Sequence, residues 1–273
     1  MAEATAIGPA TEPGPARPLR RFEPGAMVGV WMRELTLFKR LWASTTFSSI
    51  VEPTIYLLAF GFGFGALVTT VDGIPYIEYV ATGAVATAVL FSSVFAGMFN
   101  TFVKRVYQKT YDGVLATPVD VPEIMTAEAI WIAGKAGIYG CAPLLVGFFF
   151  GLTPAWGMLA VPFIGFLTGL GFAFAGQWLS GVVPSIDSFN YVTSALITPL
   201  FLVAGTFFPI DGLPQWAQVL AQFNPLYHCV QLVRHACFGW EWINDAGNVA
   251  FLVVFAVITA ALSWRRMSQR LVD

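Results

Sequence analysis

Six long runs of apolar residues, separated by shorter polar segments, dominate the hydrophobic pattern of the chain. The runs are residues 48–68, 79–103, 127–150, 156–179, 189–208 and 248–264. A helix needs about 20 such residues to cross a bilayer. The pattern therefore predicts an all-α membrane protein with six transmembrane helices, within a membrane domain at residues 45–264.

A different pattern precedes the first run, in residues 27–44. Apolar side chains, Trp31 and Phe38 among them, recur there at steps of three and four residues, and charged side chains such as Arg33 and Arg40 lie between them. An amphipathic helix of this kind lies in the plane of the lipid headgroups, with tryptophan at the interface. We expect a separate interface helix here, and the alternative is a cytosolic extension of the first transmembrane helix.

Residues 209–240, between the fifth and sixth runs, are apolar but interrupted by prolines. Pro214 and the pair Asn224-Pro225 divide the segment into two helical pieces of about 10 to 14 residues, each too short to cross a bilayer. Non-helical backbone within a membrane is tolerated only against protein or a water-filled cavity. We expect two short re-entrant helices on the outer side, and a flat extracellular hairpin is the alternative.

The loop of residues 104–128 is basic where it begins and contains its own helix signals. Residues 111–115 predict a short helix. A capping sequence follows at residues 117–120, with Pro118 at the first helical position, and a second one follows at once at residues 120–123. We expect a stiff element parallel to the membrane surface, and a simple solvated turn is the alternative.

Composition and charge agree with a membrane protein. The chain has 57% hydrophobic and 11% charged residues, whereas soluble domains have about 25% charged residues. Twelve of its 14 lysines and arginines lie before the first run, after the second or after the sixth, which by the positive-inside rule places these segments and both termini in the cytoplasm. Residues 1–26, rich in proline, alanine and glycine, predict a disordered cytoplasmic tail. Residues 265–273 predict a second cytoplasmic tail.

Two charged residues fall inside the apolar runs, Glu52 in the first and Lys135 in the third. A charge at the bilayer centre costs about 2.5 to 3.5 kcal/mol, so both are candidate functional residues. Both lie toward the cytoplasmic end, where a lysine can extend its ammonium group to the interface. A structural role, as a mutual pair or a helix-end anchor, is therefore favoured over contact with a substrate.

The sequence gives little support for catalysis or metal binding. No loop gathers an acid, a base and a nucleophile, so no catalytic residue is assigned. His228 and His235 are seven positions apart, too far for a helix-borne metal pair, so no metal is assigned. No G-x-x-x-x-G-K-[ST] sequence occurs, and ATP-driven work would require a partner chain. We expect no enzyme activity and no cofactor on this chain.

Several short motifs, in their order along the chain, resemble the ABC-2 type permeases. The motifs are Tyr111-Asp-Gly-Val-Leu-Ala-Thr-Pro118, Asn224-Pro225-Leu226, and Leu232-Val-Arg234 with Gly239. The likeness covers roughly residues 31–240 and extends to Glu52-Pro53 with Gly61 to Gly65, and to Glu128 with Trp131 and Lys135. Within that family the chain is most similar to the NodJ permeases, and less so to daunorubicin-resistance permeases and the membrane subunits of polysaccharide exporters.

The resemblance implies a homodimer of this chain resting on two copies of an ABC ATPase, which would hold ATP and Mg. The helix near residues 111–117 would be the coupling helix in a cleft of the ATPase, and residues 27–44 would be a second contact. The implied coupling residues are Tyr111, Asp112, Val114, Leu115, Thr117 and Pro118. The re-entrant pieces would be residues 215–222 and 226–238, closing the outer mouth. The corresponding gate residues are Trp216, Pro225, Tyr227 and Arg234.

The leading hypothesis is the permease subunit of an ATP-driven exporter in a bacterial plasma membrane. Its substrate would be amphipathic: a lipid-linked saccharide, a polysaccharide or a lipophilic drug. Membrane lipids are expected as partners and nucleic acid is not. One alternative is an intramembrane lipid or sugar transferase using Asp120, Glu123 and Glu128, although cap spacing explains these carboxylates more simply. The other alternative is an ion-coupled secondary carrier, for which Lys135 alone is thin support.

Overall fold

Eleven α-helices and one short β-hairpin form the part of the chain that the computed structural model describes, residues 24–71 and 73–272. The side chains of residues 24, 26, 48, 49, 52 and 53 are outside that description. The tail predicted for residues 1–26 also lies almost entirely outside the described residues.

The helices of the first half are α1 (Pro24–Gly63), α2 (Tyr76–Phe95), α3 (Thr110–Leu115), α4 (Val121–Tyr139) and α5 (Ala142–Phe148). Those of the second half are α6 (Val161–Val182), α7 (Ser188–Val192), α8 (Thr198–Leu202), α9 (Gln215–Gln222), α10 (Pro225–Phe238) and α11 (Trp242–Leu271). Strands β1 (Thr70–Val71) and β2 (Ile74–Pro75) pair antiparallel between α1 and α2. The π-helical segments Ala96–Asn100 and Val103–Tyr107 continue α2, and Thr193–Ile197 joins α7 to α8. Short 3₁₀ turns, Trp156–Ala160 and Ile210–Gly212, precede α6 and α9.

Four helical stretches of the described residues are long and apolar enough to cross a membrane. They are Tyr76–Tyr107, Val121–Phe148, Trp156–Val182 and Trp242–Leu271. The first and fifth predicted spans correspond to shorter apolar helices, Thr54–Gly63 and Ser188–Leu202. In the first, four side chains that precede Thr54 are outside the description, and in the fifth the helix ends at Leu202, before the turn at Gly205 with its φ of +74°. The helical membrane fold is confirmed, and the count of six spans stays a prediction.

Helix α1 is uninterrupted over 40 residues, about 60 Å at 1.5 Å per residue. This corrects the prediction of a separate interface helix at residues 27–44, since the boundary expected after residue 44 is not present. Residues 44–51 contain neither glycine nor proline, so nothing in that stretch ends a helix. The structure agrees with the alternative, in which this segment is a helical extension of the first predicted transmembrane helix.

Helix α1 runs parallel to α4, because the contacts between them follow the same order on both helices. The indole nitrogen of Trp31 donates to the Ala127 carbonyl at 2.8 Å, the rings of Phe38 and Trp131 lie 6.0 Å apart, and the hydroxyls of Thr46 and Tyr139 lie 2.8 Å apart. Part of the apolar stripe of this segment thus faces another helix, whereas Leu41 and Trp42 stay exposed. The amphipathic pattern was recognised correctly, but much of its apolar side packs against protein.

Helix α6 occupies the centre of the bundle and contacts α2, α4, α10 and α11. Glycines permit these close approaches: a Cβ on Gly165 would lie 3.0 Å from the Cα of Gly137 in α4, and one on Gly176 would lie 2.5 Å from the Val94 carbonyl oxygen in α2. Small residues allow backbones to approach in this way in lipid, where the hydrophobic effect does not drive helices together. The position of α6 therefore depends on close glycine contacts with both neighbours.

The helix signals in the two interrupted segments are largely confirmed. Helices α9 and α10 match the two pieces expected after residue 209, and the side chain of Asn224 caps α10 by accepting the Leu226 N–H at 2.9 Å. Their depth in a membrane stays a prediction. Helix α3 matches the expected helix at residues 111–115.

Only the second capping sequence of the loop begins a helix. The Asp120 N–H donates to Glu123 Oε2 at 3.0 Å where α4 starts. The first sequence, at residues 117–120, begins no helix. Its Thr117 hydroxyl donates back to the Val114 carbonyl at 2.6 Å and so closes α3.

Candidate functional site

Helix α3 has one face against the bundle and one face open. Tyr111 is completely buried, and the partly buried Val114 and Leu115 pack against the same apolar cluster, which includes Met125 of α4 and Met267 of α11. The exposed side chains are Asp112, Thr117 and Pro118. Of the six residues predicted for coupling, three therefore hold the helix in place and three are accessible to a partner.

The carboxylate of Glu128, in α4, lies at the centre of a polar network in which each of its oxygens is bonded. Its side chain is only 2% exposed. Oε1 accepts from Arg33 at 2.6 Å and from Lys104 at 3.0 Å, and Oε2 accepts the Tyr111 hydroxyl at 2.7 Å. Full use of both oxygens is what a buried carboxylate requires. Tyr111 thereby fastens α3 directly to α4.

A second carboxylate completes the network. Glu34 Oε1 accepts from Lys104 at 2.7 Å and from its neighbour Arg33 at 2.9 Å. We call Arg33, Glu34, Lys104, Glu128 and Tyr111 the charge cluster, and the end of the bundle that holds it the charged end. The charge cluster joins α1, the π-helical extension of α2, α3 and α4, with two basic and two acidic side chains in mutual contact.

The charge cluster stabilises the ionised form of the Glu34 carboxyl group and the protonated form of the Tyr111 phenol. Burial raises the pKa of Glu34, but the adjacent Lys104 and Arg33 outweigh burial, so its pKa lies below the ordinary value. Burial also lowers the pKa of Arg33, yet the carboxylates of Glu128 and Glu34 reverse this and leave it raised. Burial holds the pKa of Tyr111 well above its ordinary value. The negative charge of Glu128, which accepts the hydrogen bond from the Tyr111 hydroxyl, raises that pKa further.

Three arginines cap the last turn of α6, also at the charged end. Arg105 Nη2 donates to the Ser180 carbonyl at 2.7 Å, and the Nε atoms of Arg266 and Arg270 donate to the Gly181 carbonyl at 3.1 and 3.0 Å. The carbonyls of a last helical turn lack helical partners and carry partial negative charge, so cations stabilise them. The arginines connect the extension of α2 and the end of α11 to α6.

A polar contact made by Arg234 lies at the other end of α2. Tyr79, the residue of α2 in this contact, is about 38 Å from Lys104 along the helix. Arg234 of α10 donates from Nη2 to the Gly205 carbonyl at 2.6 Å, and its guanidinium carbon lies 3.7 Å from the centre of the Tyr79 ring. The Tyr79 hydroxyl donates to the same carbonyl at 3.2 Å. We call these three residues the Arg234 contact. It holds α10 to α2 and to the turn that follows α8.

Comparison with known proteins identifies the family of this bundle. The sequence model described as "ABC-2 type transporter" matches residues 26–238. The chain belongs to the ABC-2 type transporter family. The resemblance found in the sequence is thus confirmed, and the matched region includes the charge cluster, α3 and the Arg234 contact.

Relatives of this ABC-2 protein match nearly its full length. Nodulation protein J of Sinorhizobium fredii (strain NBRC 101917 / NGR234) is 32% identical over 252 residues, which cover 92% of this chain and 95% of the relative. Nodulation protein J of Rhizobium leguminosarum bv. trifolii is 32% identical, covering 89% and 93%. The inner membrane transport permease YadH of Escherichia coli (strain K12) is 25% identical, covering 88% and 93%.

Membership of the ABC-2 family fixes the general role of the chain. It is an integral membrane protein and the permease of an ABC exporter, and the ATPase is a separate ABC subunit with which it associates. Four apolar helices long enough to cross a membrane agree with that role.

The histidines of this ABC-2 permease join α10 to α11. Nδ1 of His235 lies 2.6 Å from Oδ1 of Asp245, whose other oxygen accepts the Glu241 N–H at 2.8 Å. Nδ1 of His228 lies 2.7 Å from Oδ1 of Asn248. Each ring has a partner on the last helix, so both serve helix packing.

The remaining gate residues predicted for the ABC-2 permease are distributed along α9 and α10. Trp216 is 67% exposed, whereas Pro225 is buried at the start of α10 and Tyr227 is partly buried. Of the four predicted gate residues, Arg234 is the one described in contact with the Tyr79 ring and the Gly205 carbonyl.

Of the two charged residues predicted within the membrane, Glu52 and Lys135, the structure describes the side chain of Lys135. The ammonium of Lys135 lies 6.0 Å from the centre of the Trp131 ring, on the side of α4 that faces α1. The side chain of Glu52 lies outside the described residues, so its pairing with Lys135 stays a prediction. Arg40, assigned to the interface helix, is exposed.

Sequence reasoning did not bring the charge cluster together. Lys104 served only as a marker of the cytoplasmic side, and Glu128 only as part of the family resemblance and as one carboxylate of the transferase alternative. A signal was present, because Lys104 directly follows the second predicted span and Glu128 lies at the start of the third, on the same predicted side of the membrane. Opposite charges at adjoining helix ends are natural partners. The contribution of Glu34 required the unforeseen alignment of α1 with α4.

Proposed function

We propose that the protein is the homodimeric permease of an exporter that moves an amphipathic substrate out of the bacterial cytoplasm across the plasma membrane. Two copies of the ABC ATPase bind the dimer, and six spans place both termini and the charged end in the cytoplasm. The basic residues clustered at that end support this orientation. The substrate is a lipid-linked saccharide, a polysaccharide or a lipophilic drug, which rests on the family resemblance.

In this proposal α3 is the coupling helix. The observation that carries the assignment is the hydrogen bond from buried Tyr111 to Glu128. Such a bond makes α3 part of the bundle instead of a loose loop, while Asp112, Thr117 and Pro118 stay open to the ATPase. Any displacement of α3 is therefore passed to the partners of Glu128.

The charge cluster distributes this displacement. Glu128 contacts Arg33 of α1 and Lys104 of the α2 extension, so a shift of Tyr111 acts on three further helices at once. ATP can drive transport only through contacts that differ between two states of the dimer. In our proposal, closure of the two ATPases moves α3 together with α1, α2 and α4, and opens a path between the permease copies.

The test uses the permease reconstituted with its ATPase in proteoliposomes. Thr117→Arg changes an exposed residue of the proposed contact and should leave the fold intact while hydrolysis continues without transport. Leu115→Asp should uncouple as well, although it places a carboxylate in an apolar contact. Gln269→Arg adds the same charge to an exposed position of α11 and is the matched control.

The outcomes discriminate clearly. Loss of transport per ATP in Thr117→Arg, with Gln269→Arg at the wild-type ratio, supports α3 as the coupling helix. Equal coupling in both variants contradicts that assignment. Full-rate transport by the permease without any ATPase would contradict the proposed function as a whole.

A further inference from the structure

A groove between α1 and α4 is the most distinctive surface outside the charge cluster. It encloses about 580 Å³, far more than the roughly 30 Å³ of one water. Its walls are formed by apolar and aromatic side chains, including Trp31, Phe38, Trp131 and Ile138. The hydrogen bond from Trp31 to α4 closes one end, and Tyr139, bonded to α1, closes the other.

Lys135 is the one charged residue among the described residues that line this groove. None of the ion pairs in the described part of the chain includes it. The neighbouring charge cluster is balanced within itself, since Arg33 and Lys104 face two carboxylates. Glu34 of the charge cluster attracts the Lys135 ammonium from beyond ion-pair distance, but its carboxylate is already bonded to Lys104 and Arg33. No described residue that lines the groove supplies an anion for Lys135, so an anion bound in the groove would pair with it.

The position of the ammonium group indicates what kind of anion fits. Long side chains of a helix lean toward its N-terminus, and Lys135 accordingly brings its ammonium group to the level of Trp131, 6.0 Å from the ring centre. Tryptophan and a lysine at the end of an apolar surface are typical of the membrane interface. Beyond them, the wall near Ile138 is apolar. An ammonium group at the level of Trp131, with an apolar wall beyond it toward Ile138, matches a lipid phosphate with its acyl chain.

We propose that this groove binds one phospholipid of net negative charge, with its phosphate on Lys135 and an acyl chain along the apolar wall. The lipid fills the gap between the two helices that carry Arg33 and Glu128. A net negative headgroup is required because Lys135 has no ion-pair partner among the described residues. The site does not include α3.

The direct experiment uses the full-length chain, delipidated in a non-ionic detergent. Dioleoyl phosphatidylglycerol or zwitterionic dioleoyl phosphatidylcholine is added, and native mass spectrometry counts the retained lipid while thermal unfolding is recorded. We expect one tightly retained phosphatidylglycerol and a raised unfolding midpoint, with neither effect from phosphatidylcholine. Equal retention of the two lipids would overturn the proposal.

Lys135→Met removes the charge but keeps the apolar stem. We expect phosphatidylglycerol retention to weaken by about fivefold, the worth of one basic residue near anionic lipid. Lys39→Met removes an exposed lysine of α1 outside the groove and should retain lipid like the wild type. Lys135→Arg should also retain it. Retention by Lys135→Met equal to that of the wild type contradicts the proposal.

Gly134→Leu tests the groove without touching the charge. No atom lies within 4 Å of a Cβ placed on Gly134, which lines the groove, so the leucine enters open space. Leucine also favours a helix over glycine, so the variant should fold at least as well but lose the phosphatidylglycerol effect. Gly29→Leu, where a Cβ also meets open space on α1, is the matched control.

Other occupants would give other results. If Gly134→Leu changes the oligomeric state and leaves lipid retention unchanged, a second copy of the chain fills the groove and the proposal is wrong. If the wild type retains no phosphatidylglycerol and Glu52→Gln retains one, Glu52 is the anion for Lys135 and the proposal is likewise wrong.

Discussion

The two ends of α2 are fastened in different ways. At the charged end, Lys104 belongs to a network of side chains from four elements, in which two basic residues and two carboxylates share their partners. At the other end, Tyr79 takes part in the Arg234 contact, where one guanidinium meets a backbone carbonyl and an aromatic ring. The same helix thus ends in a shared ionic network on one side, and on the other in a contact whose described partners are a backbone carbonyl and an aromatic ring.

This difference sets what each end can do. Removal of one member of a buried ionic network leaves other charges without partners, which costs several kcal/mol. A hydrogen bond to a backbone carbonyl costs less free energy to break when the carbonyl stays near other polar groups. In the proposed mechanism the charged end therefore acts as a fixed joint that passes on displacement, and we expect the Arg234 contact to be the one that separates.

The largest effect is expected for Glu128→Gln. The amide cannot balance Arg33 and Lys104, so the free energy of unfolding should fall by about 3 to 5 kcal/mol, the usual cost of breaking a buried ionic pair. Denaturant unfolding in detergent, followed by near-UV circular dichroism, measures it. Glu241→Gln, at an exposed position, is the control. A fall no larger than that of the control would show that the charged end is not a fixed joint.

Arg234→Met should have a smaller effect, about 2 kcal/mol for a charged hydrogen bond in a partly exposed place. The loss should be local, seen as faster amide exchange in α10 by mass spectrometry, with α4 protected as before. Arg40→Met removes an exposed arginine of α1 and serves as the control. If Arg234→Met destabilises the chain as much as Glu128→Gln, the two ends do not differ as described.

Local signals in the sequence accounted for most of the helices. Apolar runs located the long spans, prolines divided α9 from α10, and the spacing of Asp120 and Glu123 marked the start of α4. These features depend on neighbouring residues only, so a sequence contains them directly. The boundary inside α1 was mistaken because an amphipathic stripe does not reveal whether lipid or another helix covers it.

The contacts between distant segments were beyond such reasoning. Glu34 and Glu128 are 94 positions apart, and they meet at Arg33 and Lys104 only because α1 lies parallel to α4. Gly205 likewise gave no local sign that its carbonyl accepts from Arg234. For Tyr111 the sequence predicted the helix, and the resemblance implied a coupling role that stays a prediction, but neither indicated the buried carboxylate that fixes it.

Gly205→Ala changes the acceptor side of the Arg234 contact. The φ of Gly205 is +74°, and an added Cβ would lie 3.1 Å from the Ile210 Cγ2. A left-handed conformation costs a non-glycine residue about 1 to 2 kcal/mol, so the unfolding midpoint should fall modestly. Gly29→Ala, in the regular helix α1, should instead raise it slightly. Equal shifts in both variants would mean that the turn adapts without strain.

The smallest effect is a dependence of stability on acid that arises at the charged end. The pKa of Glu34 is lower in the folded chain than its ordinary value, which is about 4.3 in the unfolded chain. Its contribution to stability is therefore complete above that value and is lost as the pH falls through the folded pKa. Unfolding midpoints measured from pH 6 downward should decline less steeply in Glu34→Gln than in the wild type. Arg234→Met should keep the wild-type slope, because arginine does not titrate in this range, and a shallower slope in that variant would show that the two ends are coupled in acid.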